Sequence, residues 1–128
     1  IIDKRRTKPN VAEAVNLIGD VDGKIAIVID DMVDTAGSLM GGIDLLYQNG
    51  AKEVYSACTH GILSGPAIER IANSSMKELL ITNTIPLSEE AKSVDKIKQI
   101  SVGYMLAKCI EAIQTDQPVS RLFELFKD

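Results

Sequence analysis

Apolar residues along this chain follow two rhythms. Short β-branched runs alternate with longer stretches in which apolar positions recur every three or four residues. Residues 25–29, IAIVI, form a continuous run that reads as a strand covered on both faces. Asp22-Gly23 supplies the turn before it. Over 39–49 the apolar positions Leu39, Ile43, Leu46 and Tyr47 keep helical spacing, and Gly50 follows as a stop. Residues 53–59 and 78–82 predict two more strands. Between them Ser64-Gly65-Pro66 opens a helix running to about 71, with Ser64 or Gly65 near the N-cap and Pro66 near the first helical position. Val102, Met105, Leu106, Ile110 and Ile113 make one stripe of a helix over 101–113. The stretch 83–98 is polar and predicts a loop over one strand end, and 114–128 starts as a loop and ends in a short amphipathic piece. Strands alternating with helices imply βαβ units, hence an α/β fold with a mostly parallel sheet flanked by helices on both faces.

Ligands of such sheets collect at the carboxyl ends of the strands. Asp30, Asp31 and Asp34 crowd at one such end, directly before Thr35-Ala36-Gly37-Ser38 and the start of a helix. Free amides and the positive end of the helix dipole there suit a phosphate. Gly37 permits close backbone approach, and Thr35 and Ser38 add hydroxyl donors. The neighbouring carboxylates would accept hydrogen bonds from vicinal hydroxyls. The pattern therefore asks for a sugar phosphate, with the phosphate in the turn and the ring hydroxyls on the aspartates. The bland alternative, a capped helix beside solvated acids, explains Asp34 or Thr35 alone more easily than it explains three acids and the small turn together.

Composition narrows the field. The 128 residues are 45% hydrophobic, enough for one domain with one core. A net charge of −4 and the absence of Trp argue against a nucleic-acid partner. No apolar run reaches membrane-spanning length. Cys58 and Cys109 have no metal or redox spacing and read as reduced core thiols. His60, the single histidine, has no metal partners and reads as structural or as supporting a neighbouring site residue. Against the acidic background, Lys4, Arg5, Arg6 and Lys8 put four positive charges in five residues, after Ile1-Ile2, which reads as a strand end. A solvated face is the usual meaning of such a run. Next to a phosphate site it also suits a cationic clamp on a loop over the same side of the sheet as Asp30.

VIDDMVDTAGS resembles the phosphoribosyl-binding motif of the type I phosphoribosyltransferase fold, and among its branches it is most similar to ribose-phosphate pyrophosphokinases. DKRRTKPN at 3–10, the stretch 49–71 and SVGYMLAKCIEAI at 101–113 extend the resemblance over essentially the whole chain. Ser38 stands where Thr is more usual, and the hydroxyl is kept. The resemblance implies transfer of the diphosphoryl group of ATP to the 1-hydroxyl of ribose 5-phosphate. It implies that Lys4 is catalytic and Arg6 its companion on the substrates, on a loop that closes over the site. It further implies that Asp30, Asp31 and Asp34 to Ser38 (Thr35, Ala36 and Gly37 between) contact ribose 5-phosphate. Mg²⁺ would arrive with the substrates, its protein ligands mostly outside this segment. A cytoplasmic homo-oligomer, a hexamer built from dimers, is implied as well. So is a single domain over 1–128 forming the C-terminal half of a longer two-domain chain, the rest of which carries most ATP contacts. Residues 118–126 resemble a segment implicated in binding nucleotide or phosphate regulators near subunit interfaces, and read as a regulatory or packing tail, packing being the simpler reading. Two other functions fit the sugar-phosphate motif: a base-specific phosphoribosyltransferase, against which the KRR run argues, and a non-catalytic regulatory subunit, against which the intact acidic turn argues.

Overall fold

A computed structural model of the protein describes the backbone of residues 2–5 and 14–125, and the side chains of residue 2 and of 17–124. Strands β1 (Ile2–Arg5) and β2 (Ala14–Leu17) pair antiparallel as a separate two-stranded sheet. The main sheet has four parallel strands in the order β3-β4-β5-β6: β3 (Ile25–Val33), β4 (Glu53–Gly61), β5 (Leu79–Thr82) and β6 (Ile97–Ile100). The crossovers are α1 (Gly37–Gln48), α2 (Ala67–Asn73) and the short α3 (Glu89–Lys92), and α4 (Gly103–Gln114) follows the last strand. A 3-10 turn over Val119–Arg121 and α5 (Leu122–Leu125) close the described part. The expected α/β fold with a parallel sheet is what forms.

Helix α1 shows how the pattern becomes structure. Leu39, Gly42, Ile43 and Leu46 fall on one face and are buried against the sheet. Burial of each large aliphatic side chain is worth about 1.5–3 kcal/mol. Gly42 carries no side chain because the δ-methyl of Ile2 lies 3.2 Å from where its Cβ would stand, so the β1–β2 hairpin packs directly on the helix. The helix ends in a Schellman motif. Gly50, at φ 87°, donates to Tyr47 C=O at 3.0 Å, and Ala51 donates to Leu46 C=O at 3.0 Å. Beneath it, one core joins Ile43, Val54, Ile71, Met76, Leu79 and Ile81.

The expectations fail in five places. Strand β3 continues to Val33, so Asp30 and Asp31 lie within the strand, with Asp30 in register with Cys58. Coverage of both faces is not seen along β3. Ile25, Ile27 and Ile29 are 60%, 66% and 80% exposed, while Ala26 and Val28 on the other face pack against the core. Helix α4 follows β6, at the opposite edge of the sheet from β3, and its apolar stripe (Met105, Leu106, Ile110, Ile113) is itself exposed. The stretch read as a loop at 83–98 contains α3 and the start of β6. That strand was hard to see because it is a four-residue edge with a single buried side chain, Ile97. Lys4 and Arg5 belong to β1 rather than to a loop, the backbone of Lys4 facing Val15. The side chain of Lys4, and Arg6 and Lys8 entirely, lie outside the described residues.

Candidate functional site

The turn between β3 and α1 has an unusual backbone. Ala36 is in the left-handed region, φ 59° and ψ 5°, although it carries a side chain. Its methyl is buried, which compensates for a conformation that costs a non-glycine residue about 1–2 kcal/mol. Left-handed Ala36 followed by helical Gly37 makes consecutive amides converge into an anion-binding nest. The first intrahelical bond runs from Met40 N–H to Ala36 C=O at 3.0 Å, so the N–H groups of Gly37, Ser38 and Leu39 have no intrahelical acceptor. Thr35, Gly37 and Ser38 are exposed around this concavity.

The acids divide into two kinds. Asp30, half-buried, accepts the Asp31 N–H on Oδ1 at 3.0 Å, and its second oxygen takes no protein partner among the described residues. Asp31 is exposed beside it. Asp34 is turned the other way. Ser64 Oγ donates to its Oδ1, and Ser64 N–H donates to its backbone carbonyl at 3.1 Å. Asp34 therefore ties the turn to the β4–α2 loop, as do the N–H groups of Ile62 and Leu63, which donate to Val33 C=O at 3.0 and 3.1 Å.

Sequence reasoning missed Arg70. From α2 its Nη1 donates to Thr35 C=O at 2.8 Å and lies 3.3 Å from where a Cβ on Gly37 would stand. The space at Gly37 thus admits a guanidinium. No local pattern links positions 35 and 70, so only the fold reveals the pair. His60 bonds through Nδ1 to Thr84 Oγ1 at 2.9 Å, and Thr84 in turn donates to Thr59 C=O at 3.0 Å. Cys58, in the core behind Asp30, is pushed up to about 11, first by burial and then by the charge of Asp30, so it stays a thiol. Cys58 and Cys109 are unpaired, Cys109 half-buried on α4 rather than in the core. A groove of about 650 Å³ between the hairpin, α1 and the free edge of β3 reaches Asp30 and Ser38 but is otherwise largely aliphatic. Its polar end alone matches the chemistry of the turn. No described helix is long and apolar enough to cross a membrane.

Residues 3–124 match the phosphoribosyl synthetase-associated domain family. The chain belongs to that family. It is 56% identical over 124 residues to a ribose-phosphate pyrophosphokinase of Clostridium acetobutylicum, covering 97% of this chain and 39% of the relative. It is 55% identical over 123 residues to the enzyme of the same name from Bacillus subtilis, covering 96% and 38%. The crystal structure of phosphoribosylpyrophosphate synthetase from Mycobacterium smegmatis superposes with a TM-score of 0.77 at 38% identity, over 90% of this chain and 36% of that one. The chain thus spans about two-fifths of the length of these relatives. The synthetase resemblance seen in the motifs is borne out.

Proposed function

We propose that this chain is the ribose 5-phosphate-binding half of a two-domain ribose-phosphate diphosphokinase, which transfers the diphosphoryl group of ATP to the 1-hydroxyl of ribose 5-phosphate. The observation that supports it most is the pairing of an amide nest at Ala36–Gly37–Ser38 with an Asp30 oxygen, without a partner among the described residues, at the same strand end. The nest suits the dianionic 5-phosphate. Asp30 suits a ring hydroxyl, and Asp31, next in the strand, supports it through its backbone N–H. Thr35 and Ser38 add hydroxyl donors to the phosphate, while Asp34, through Ser64, holds the turn in shape. The exposed Ile25, Ile27 and Ile29 support the presence of further protein against this sheet face.

In this reading Lys4 neutralises charge on the transferred group and Arg6 grips the substrates. Lys4 begins from a strand of the hairpin packed on α1, the helix that the nest opens. Chemistry of this kind needs positioning and charge neutralisation rather than a covalent intermediate. Asp30 fits Mg²⁺ as a hard oxygen donor, one carboxylate being enough for that ion alongside substrate oxygens and water. When bound, Mg²⁺ would neutralise phosphate charge. The unpaired cysteines accord with a cytoplasmic enzyme, and the assembly we propose is a homohexamer.

The test is to supply full-length protein with ATP, Mg²⁺ and ribose 5-phosphate and follow AMP. Stoichiometric AMP and phosphoribosyl pyrophosphate are expected. No AMP, but pyrophosphate released from phosphoribosyl pyrophosphate on adding a nucleobase, would replace the reading with a base-specific transferase. Binding without either reaction would indicate a regulatory subunit.

A further inference from the structure

We propose that Arg70 is a positioning residue for the phosphate nest, acting through the Thr35 carbonyl; the inference rests on the nest being the phosphate site. A trans peptide unit is planar, and its C=O and N–H point in opposite directions. Arg70 Nη1 holds the Thr35 C=O at 2.8 Å, so the N–H of the same peptide unit, that of Ala36, is aimed away from α2 and toward the nest opening. Rotation of that peptide would both break the bond to Arg70 and withdraw the Ala36 N–H from the nest. The left-handed φ of Ala36 makes such a rotation attractive unless something opposes it. Gly37 completes the arrangement, because a Cβ there would press to 3.3 Å from Nη1. Meanwhile Ser64, on the same β4–α2 connection, fixes Asp34 from its own side. The loop and α2 together form a brace that holds the turn on both flanks of Thr35. The guanidinium also adds a positive charge behind the nest, which favours an anion in front of it.

The experiment is steady-state kinetics of the full-length protein with Arg70→Met, which keeps the aliphatic stem and removes the donors, and Arg70→Lys, which keeps one donor and the charge. For Arg70→Met the KM for ribose 5-phosphate should rise about 10-fold, the equivalent of one charge-assisted hydrogen bond, with kcat and the KM for ATP within about twofold. Arg70→Lys should recover most of that loss. A ribose 5-phosphate KM within about twofold of wild type in Arg70→Met overturns the proposal. So does a common shift of all three parameters, which would make Arg70 a packing residue. Should Arg70→Met fail to fold, Arg70→Lys decides alone: a small selective rise in the ribose 5-phosphate KM supports the role, and wild-type values overturn it. Asp30→Asn measured in parallel separates this inference from the site itself. If Asp30→Asn raises the KM and Arg70→Met does not, only the role of Arg70 fails; if neither does, ribose 5-phosphate binds elsewhere and the proposed function fails with it.

Discussion

Replacing Asp30 with Asn changes one charge at nearly constant shape. In the free protein Oδ1 of Asp30 is occupied by the Asp31 N–H at 3.0 Å, a bond the Asn carbonyl can still accept. The second oxygen, free among the described residues, becomes an NH₂ group that cannot accept from a ribose hydroxyl. The loss is one hydrogen bond to a charged acceptor, about 1.5–3 kcal/mol, so the Kd for ribose 5-phosphate should rise roughly 10- to 100-fold. Inorganic phosphate, which would use the nest alone, should bind with unchanged affinity or better, since a nearby negative charge has gone. Titration calorimetry of both ligands against full-length protein measures the difference. An internal control needs no ligand. The Asp30 charge, after burial, helps push Cys58 up to about 11, so the variant's thiol should ionise at lower pH. If Cys58 responds while ribose 5-phosphate affinity holds, Asp30 is where the structure puts it and does not touch the sugar, and the assignment is refuted.

Lys4→Ala should lower kcat by at least about 100-fold while ribose 5-phosphate affinity stays near wild type, because the role proposed for it is charge stabilisation in the transition state; equal losses in both would remove that role. Stability tests the turn geometry. Gly23→Ala places a Cβ in open space at φ 66° and should cost about 1 kcal/mol, whereas Gly50→Ala adds contacts of 2.2 Å to Asp22 Oδ1 and 3.3 Å to its Cα and should cost about 2–3 kcal/mol. Equal shifts in urea midpoint would contradict the packing described. Cys58 predicts an alkaline slope. Its folded pKa of about 11 lies above the ordinary thiol value of 9.0, so between them the folded chain keeps a proton that the unfolded chain loses. Stability should therefore be unaffected by this group below about pH 9 and fall as the pH rises toward 11, and Cys58→Ala should flatten that part of a urea-unfolding series.

Much of the fold could be read where periodicity and punctuation agree. Leu39, Ile43 and Leu46 followed by Gly50 announce α1 and its end, and β4 and β5 are dense enough in apolar residues to stand out. The hidden parts had little apolar signal or were non-local. The strand β6 buries only Ile97, and the acids of β3 disguise its last turns of pleat because they sit where the strand leaves the core for the site. The exposed side of 25–29 could not be anticipated from composition, since a run of isoleucines looks alike whether its second face is covered or bare. At the candidate site, the turn between β3 and α1 was legible because small and hydroxyl residues follow crowded acids. The strained residue was not, since alanine at positive φ leaves no mark in the chain. Arg70 and Ser64 were invisible for another reason: each acts on a residue at least 30 positions away.

The account stands on the amides of Ala36, Gly37 and Ser38 receiving the 5-phosphate. Their ¹⁵N–¹H resonances in the full-length protein, followed while ribose 5-phosphate is titrated in and again with ribose lacking the phosphate, test that claim most directly. Large downfield proton shifts at these three residues with ribose 5-phosphate, and small ones with ribose, are predicted. Saturable binding that leaves the three amides unmoved while resonances elsewhere shift would contradict it.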